Sequence, residues 1–340
     1  MKKIATMDAV GHELCHDISR VIKDVEKGVA FRRGYIVQQQ DVDTLHSLGK
    51  FHLFVWDNQE NSLHEEDAAD ILRDICQNVF IEAVPVKEGK IELKAQVDGL
   101  FRVDVERLNN INALGEICIS TRHTNIPVKK GESLAAVRVV PLVIAQEKMN
   151  QVKRTAGKRP LLELLPYKLQ RAGIVTTGTE VAKGIIKDTF TPVIEKKLAQ
   201  YNISVMGHEI VGDIKEDISR AILNLRDQGA QLILCTGGMS VDPDDSTPAS
   251  IAATGARIVS YGSPVLPGNM LLAAYLGDIP VLGLPACVMY DCRTVFDIVL
   301  PRISAGVKME AKDFATMGAG GLCLKCGTCR YPNCGFGKSL

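Results

Sequence analysis

From about Ala172 to Ile303 short apolar runs alternate with amphipathic segments, and this alternation restricts the fold more than any other feature of the chain. Ile174–Thr176 reads as a short buried strand, Asp188–Tyr201 as a helix with Phe190, Val193, Ile194 and Leu198 on one face, and Ile203–Ile210 as a strand. The same reading gives a helix over Ile214–Leu225, a strand over Leu232–Cys235, a short helix over Pro248–Ala253 and a strand over Arg257–Ser260. A helix over Met270–Leu276, a strand over Val281–Leu284 and a last helix from about Met289 to Ile303 complete the series. Strands separated by helices imply an α/β fold, a mostly parallel sheet covered on both faces. Ligands of such sheets sit at the carboxyl ends of the strands, so the loops there carry the chemistry.

Residues 1–165 are less regular and predict a mixed α+β region. Helical spacing over Asp17–Val25 (Ile18, Val21, Ile22, Val25) and Glu65–Val79 is interleaved with strand-like runs at Phe51–Trp56, Ile91–Val97 and Ile117–Thr121. Lys148, Lys153, Arg154, Lys158 and Arg159 crowd around Gly157 and read as a solvated basic linker or a phosphate-binding arm. The expected divisions are therefore 1–165, a 166–306 α/β domain and a 307–340 cysteine-rich tail.

Three strand-end loops are chemically loaded. In Thr176-Thr177-Gly178-Thr179-Glu180, Gly178 permits close backbone approach to an anion, Thr177 and Thr179 offer hydroxyls, and Glu180 can orient a hydroxyl or a cation. In Thr236-Gly237-Gly238-Met239-Ser240 the paired glycines bare backbone N–H groups, and Thr247-Pro248 just beyond reads as an N-cap and first turn. Asp242, Asp244 and Asp245 lie between, a set of hard oxygen donors that suits magnesium beside a phosphate, or else a helix cap with solvated neighbours. Asp188 and Asp213 each precede a helix and read equally as caps. The third loop is Leu284-Pro285-Ala286-Cys287.

Taken in order, Thr177-Gly178-x-Glu180, Gly184-x-Ile186-x-Asp188, Val211-x-Asp213, Thr236-Gly237-Gly238-x-Ser240 with Asp245, and Gly283-Leu284-Pro285 identify a likeness. Residues 172–304 resemble the molybdopterin-binding domain shared by molybdopterin adenylyltransferases and molybdopterin molybdotransferases. Asp8-Ala9-Val10-Gly11-x-x-Leu14-x-x-Asp17 resembles the opening segment of the molybdotransferases. The resemblance implies a three-layer α/β/α sandwich and a pocket for a pterin phosphate, either molybdopterin or its nucleotide ester. It implies a homodimer, and insertion of molybdate with Mg2+ as the reaction. Asp245 would coordinate magnesium or position molybdate, with Glu180 and Asp188 completing the acid cluster. Thr177, Gly178, Thr179, Gly237, Gly238, Ser240, Asp242, Asp244, Pro285 and Cys287 would line the pterin site.

The sequence departs from that pattern in three places. Thr179 stands where the transferases usually have aspartate, Asp242 replaces a glycine, and Ala286-Cys287 replaces Gly-Asn. Cys287 reads either as a thiolate able to hold molybdenum or a sulfur intermediate, or as an inert thiol. Gly178-Thr179-Glu180 and Asp244-Asp245-x-Thr247 are similar to the related competence-damage family, which includes nicotinamide-nucleotide hydrolases. Two alternatives follow: a non-catalytic carrier that hands the cofactor to a molybdoenzyme or cofactor-assembly protein, and a nucleotide pyrophosphohydrolase.

The 340 residues include ten cysteines, and four of them, Cys323, Cys326, Cys329 and Cys334, fall within the last 18 residues as C-x2-C-x2-C-x4-C. A glycine-rich loop with thiols at this spacing resembles a ferredoxin cluster loop and predicts a metal centre, a 4Fe–4S cluster or Zn2+. The other six (Cys15, Cys76, Cys118, Cys235, Cys287, Cys292) are scattered in apolar contexts, as reduced thiols of a cytoplasmic protein would be. Forty basic residues balance 40 acidic ones, which argues against nucleic-acid and membrane-surface partners.

Overall fold

A computed structural model describes residues 2–22, 26–55, 61–87, 89–240, 242 and 245–338. It divides into two compact units. The first comprises Met1–Ala95, Asp104–Arg122 and Glu132–Leu162; the second comprises Gln96–Val103, His123–Gly131 and Glu163–Leu340.

The first unit is mixed α+β. Its largest sheet has four antiparallel strands in the order Ile81–Ala83, Ile91–Ala95, Ser133–Val139, Ile117–Thr121. Ile91, Leu93 and Ala95 alternate inward, and the amphipathic helix Glu65–Cys76 packs its Ala68, Ala69 and Leu72 face on this sheet. The expected helix over Asp17–Val25 is instead a strand, Ile18–Ile22, paired antiparallel with Glu26–Phe31. Its residues fit a helical period, but Ile18, Val21 and Ile22 are β-branched, a residue type that favours strands over helices. The expected basic linker is mostly ordered as a helix, Gln146–Ala156, which ends at Gly157 with φ +65°. Arg107 holds the following turn by donating to the carbonyls of Ala156, Arg159 and Pro160.

In the second unit the alternation expected from sequence builds one six-stranded sheet. Its elements are β1 (Arg171–Thr177), α1 (Thr179–Ala182), α2 (Thr191–Ala199), β2 (Ser204–Val211), α3 (Lys215–Asp227) and β3 (Leu232–Thr236). They continue as α4 (Thr247–Ala253), β4 (Arg257–Tyr261), β5 (Leu272–Leu276), β6 (Ile279–Leu284), α5 (Cys287–Tyr290), α6 (Val295–Ser304) and α7 (Ala311–Ala315). Strand order is β2-β1-β3-β6-β5-β4, parallel from β2 to β6 and antiparallel at β5 and β4. One face is covered by α2 and α6, the other by α3 and α4, giving three layers. Gly173 and Gly207 let Leu225 of α3 lie directly on the sheet, since a Cβ on either would come within 3 Å of its side chain.

Two expected helices are corrected here. Met270–Leu276 is not helical but forms β5, joined to β6 by the two residues Gly277-Asp278. The last helix is broken into α5 and α6 by Asp291–Thr294, where the Thr294 side chain and Asp297 form a reciprocal cap on α6.

Candidate functional site

The chain runs from β1 outward to β2 and then crosses to β3 on the opposite side of β1. The carboxyl ends of β1 and β3 therefore diverge into a crevice, the place where open α/β sheets bind ligands. A cavity of about 550 Å³ opens there, within the range of small-molecule sites. It is lined by Thr176 and Thr177 from β1, by Gly237, Gly238, Met239, Ser240 and Asp245 after β3, and by Pro285, Ala286 and Cys287 after β6.

The glycine loop is held by packing. Gly237 and Gly238 have φ of +83° and +54°, and a Cβ on them would lie 2.3 Å from the Thr177 carbonyl oxygen and 2.7 Å from the Thr247 hydroxyl. Thr247 is buried and donates its hydroxyl to the Gly237 carbonyl at 2.9 Å, so it fastens the loop; Ser246 holds the cap position of α4 expected for Thr247. Met239 turns into the core over Gly283, where any side chain would collide with its sulfur. The Asp245 carboxylate accepts the Ser240 N–H at 2.5 Å, closing the loop from Ser240 to Asp245.

Asp188 faces the same cavity. Its oxygens accept the Phe190 and Thr191 N–H groups at 2.8 and 3.1 Å and the Thr191 hydroxyl at 2.5 Å, with His208 Nε2 at 3.4 Å. Burial by itself would raise its pKa, but the Thr191 hydroxyl, the two N–H groups and His208 outweigh burial and hold it below the usual carboxylate range. Thr176 links strand and acid, with its hydroxyl 2.9 Å from His208 Nε2 and 3.3 Å from Asp188.

The remaining expected residues are placed differently. Thr179 gives both its N–H and its hydroxyl to Asp213, each at 2.9 Å, so Asp213 clamps the first loop. Gly178 (φ +136°), Thr179 and Glu180 do not line the cavity, and Glu180 is exposed with its carbonyl receiving the Ile185 N–H. Asp242 is exposed, and Asp244 lies outside the described residues. Cys287 lines the cavity as a neutral thiol, since burial and then the Asp291 charge push its pKa up. Sequence reasoning missed Lys187, Asn269, Met270 and Met289 on the cavity wall, and His208 behind it. Lys187 was legible as the residue before Asp188; Met270 was lost to the mistaken helix, and Asn269 lies just before it.

The tail is built into the same unit. Phe314, Met317 and Phe336 join the core around α6, and Tyr331 donates its hydroxyl to the Asp297 carbonyl at 2.9 Å. Beneath it the buried Lys197 ammonium contacts both Asp297 oxygens at 2.7 and 2.8 Å, and Arg293 reaches Asp297 at 2.9 Å while stacking over the Tyr331 ring. Cys323, Cys326, Cys329 and Cys334 line a second cavity of about 360 Å³, together with Cys292, Arg293, Lys325 and Arg330. Burial alone would raise the Cys329 pKa, but the Tyr331 N–H, the Arg293 guanidinium and the Cys292 thiol donate to its sulfur and lower it. Among the described residues no three His, Cys, Asp or Glu side chains converge closely enough to hold a metal ion. Nor, among them, is any helix long and apolar enough to cross a membrane.

A CinA-like protein of Mycobacterium avium (strain 104) is 39% identical over 82 residues, which are 24% of this chain and 19% of that protein. A CinA-like protein of Mycolicibacterium gilvum (strain PYR-GCK) is 38% identical over 77 residues, 23% of this chain and 18% of its own length. The chain thus spans about a fifth of the curated relatives it matches. Among solved structures, the molybdopterin biosynthesis enzyme MoaB of Thermus thermophilus is 23% identical with a TM-score of 0.34, covering 41% of this chain and 94% of that one. The tungsten cofactor synthesizing protein MoaB of Pyrococcus furiosus is 21% identical with a TM-score of 0.33, covering 40% and 92%. A family model described as a domain of unknown function matches residues 3–57. The model described as a probable molybdopterin binding domain matches residues 173–305, the stretch that carries the crevice.

Proposed function

We infer that the crevice binds a pterin phosphate, molybdopterin or its nucleotide ester, and that the chain acts in molybdenum cofactor assembly by inserting molybdate with magnesium. The observation that carries this reading is the meeting of the Gly237-Gly238 loop with Asp188 and Asp245 in one cavity at the switch point of the sheet. The glycines leave backbone N–H groups open to phosphate, and Lys187 adds a cation on the wall. Two carboxylates facing a phosphate repel it unless a cation stands between them. Asp188 and Asp245 are oxygen donors of the kind and number that magnesium takes from protein beside a phosphate. Magnesium would supply charge neutralisation there. Asp188 stays ionised through its own hydrogen bonds, and Cys287 stays a thiol.

A carrier role is the second reading, favoured because Thr179 is tied to Asp213 and turned from the cavity. Molybdate insertion by the purified protein, abolished in Asp245→Ala, supports the enzyme; pterin binding without insertion supports the carrier. Cleavage of dinucleotides in the presence of a divalent metal would replace both with the hydrolase. For the tail, the reading is a metal centre, a 4Fe–4S cluster or zinc, on Cys323, Cys326, Cys329 and Cys334. It is supported by their spacing and by the shared cavity with cationic neighbours that offset thiolate charge. Anaerobic purification with iron, sulfide and zinc analysis tests it.

A further inference from the structure

The first unit holds a cavity of its own, about 310 Å³, that the pterin reading leaves unused. Ile71, Asp74 and Ile75 line it from the helix Glu65–Cys76. Lys153, Lys158 and Arg159 line it from the helix Gln146–Ala156 and the turn that follows. Ile71 and Ile75 stand one helical turn apart and are half-buried, so they form a small apolar shelf.

Pairing separates the three cations from their neighbours in sequence. Lys148 and Arg154, which do not line the cavity, pair with Glu116 at 2.6 Å and with Glu147 at 2.7 Å. Among the described residues the side chains of Lys153, Lys158 and Arg159 make no hydrogen bond or ion pair. The acids around them are already engaged. Asp74 pairs with Arg73 at 2.9 Å, and Asp104, whose charge reaches Arg159, pairs with Arg107 at 2.8 Å. Three cations against one lining acid leave two net positive charges, in a chain whose total charge is zero.

The turn also removes what would repel an anion. A helix end presents carbonyl oxygens with partial negative charge. Here Arg107 donates to the carbonyls of Ala156, Arg159 and Pro160 at 2.5, 2.8 and 2.6 Å. Those oxygens are offset, and the backbone that carries Lys158 and Arg159 is held at three points. The charges are thus displayed on a fixed segment, which lowers the ordering cost of binding.

We propose that this cavity binds a small organic phosphate monoester, with the phosphate among Lys153, Lys158 and Arg159 and the organic part on Ile71 and Ile75. A phosphate monoester carries a charge of about −1.5 to −2 at neutral pH, which matches the net charge of the lining. The Arg159 guanidinium can take two phosphate oxygens at once, while the lysines add point charges. The volume lies at the small end of ligand sites, which suits a single monoester. The proposal does not depend on what the crevice binds.

The test is calorimetric titration at low ionic strength of the full-length protein carrying Ser240→Trp, so that the crevice is filled and does not contribute. The probes are phenyl phosphate, inorganic phosphate and a single-stranded DNA oligomer. Two double variants are compared in that background: K158A/R159A, which strips the cavity, and K148A/R154A, which removes the same charge from the same segment outside it. The proposal expects saturable binding of one phenyl phosphate per chain, weaker binding of inorganic phosphate, and no change in K148A/R154A. In K158A/R159A the affinity for phenyl phosphate should fall about tenfold or more, while the urea midpoint stays put because those side chains have no partners to lose. Absence of phenyl phosphate binding, or equal weakening by the two double variants, would overturn the proposal. So would inorganic phosphate binding as tightly as the ester, or the oligomer binding more tightly than either.

Discussion

A methyl group added at Gly237 would be pressed against the Thr177 carbonyl, whereas one at Gly178 would meet only side-chain atoms at 3.8 Å or beyond. Both glycines have positive φ, so alanine strains the backbone at either, but only at Gly237 does it also collide. Gly237→Ala should therefore lower stability by about 2–3 kcal/mol and Gly178→Ala by about 1 kcal/mol in urea unfolding. The residue scale also sets a thiol contrast. With Cys287 pushed up and Cys329 lowered, iodoacetamide at neutral pH should label Cys329 well before Cys287 in chelator-treated protein, as peptide mapping would show. Equal labelling rates would contradict the assigned environments. Asp188 gives a pH signature. Its folded pKa is depressed, so its contribution is complete above the ordinary carboxylate pKa of about 4 and fades as pH falls through the lower folded value. The gap in urea midpoint between wild type and Asp188→Asn should be level from about pH 7 to 5 and close below about pH 4.

At the scale of elements, the buried contact of Lys197 with Asp297 joins α2 to the first turn of α6, and Arg293 adds a second cation. Asp297→Ala would strand the Lys197 charge in the core, at a cost of about 3–5 kcal/mol in chemical denaturation. A loss below about 1 kcal/mol would show that water reaches the site. Here too lies the limit of what the sequence could reveal. Strands β1, β3 and β6 were legible because they are short, apolar and bounded by glycine loops. β5 was not: Leu271 to Tyr275 are all buried, so no polar position marks a period of two, and alanine suits a helix. The signal that would have found it is Gly277-Asp278 between two apolar runs, a two-residue hairpin loop. The crevice loops were legible because glycine pairs and acids concentrate there. His208 was not, and Asp213 was read only as a cap or motif acid, because their roles come from neighbours distant in the chain, Thr176 at 32 residues and Thr179 at 34.

At the scale of the molecule, the neutral charge and the crowded late thiols take on separate meanings. A small anionic ligand is read as held by local N–H groups and one lysine, with no basic surface needed. The tail is not an appendage, since Phe336 is 5% exposed and completes the core around α6. Phe336→Ala should cost about 3–5 kcal/mol, and truncation after Gly318 should lower Tm further, whatever the metal content. The crevice is proposed to be a pterin phosphate site. Its most direct test is equilibrium binding of molybdopterin under anaerobic conditions to the full-length protein and to Ser240→Trp, whose side chain would fill the space before the glycine loop. Saturable binding of one pterin per chain, abolished by Ser240→Trp in a variant that still unfolds cooperatively, is the expected result. Absence of pterin binding to wild type, or binding that the variant leaves unchanged, would contradict it.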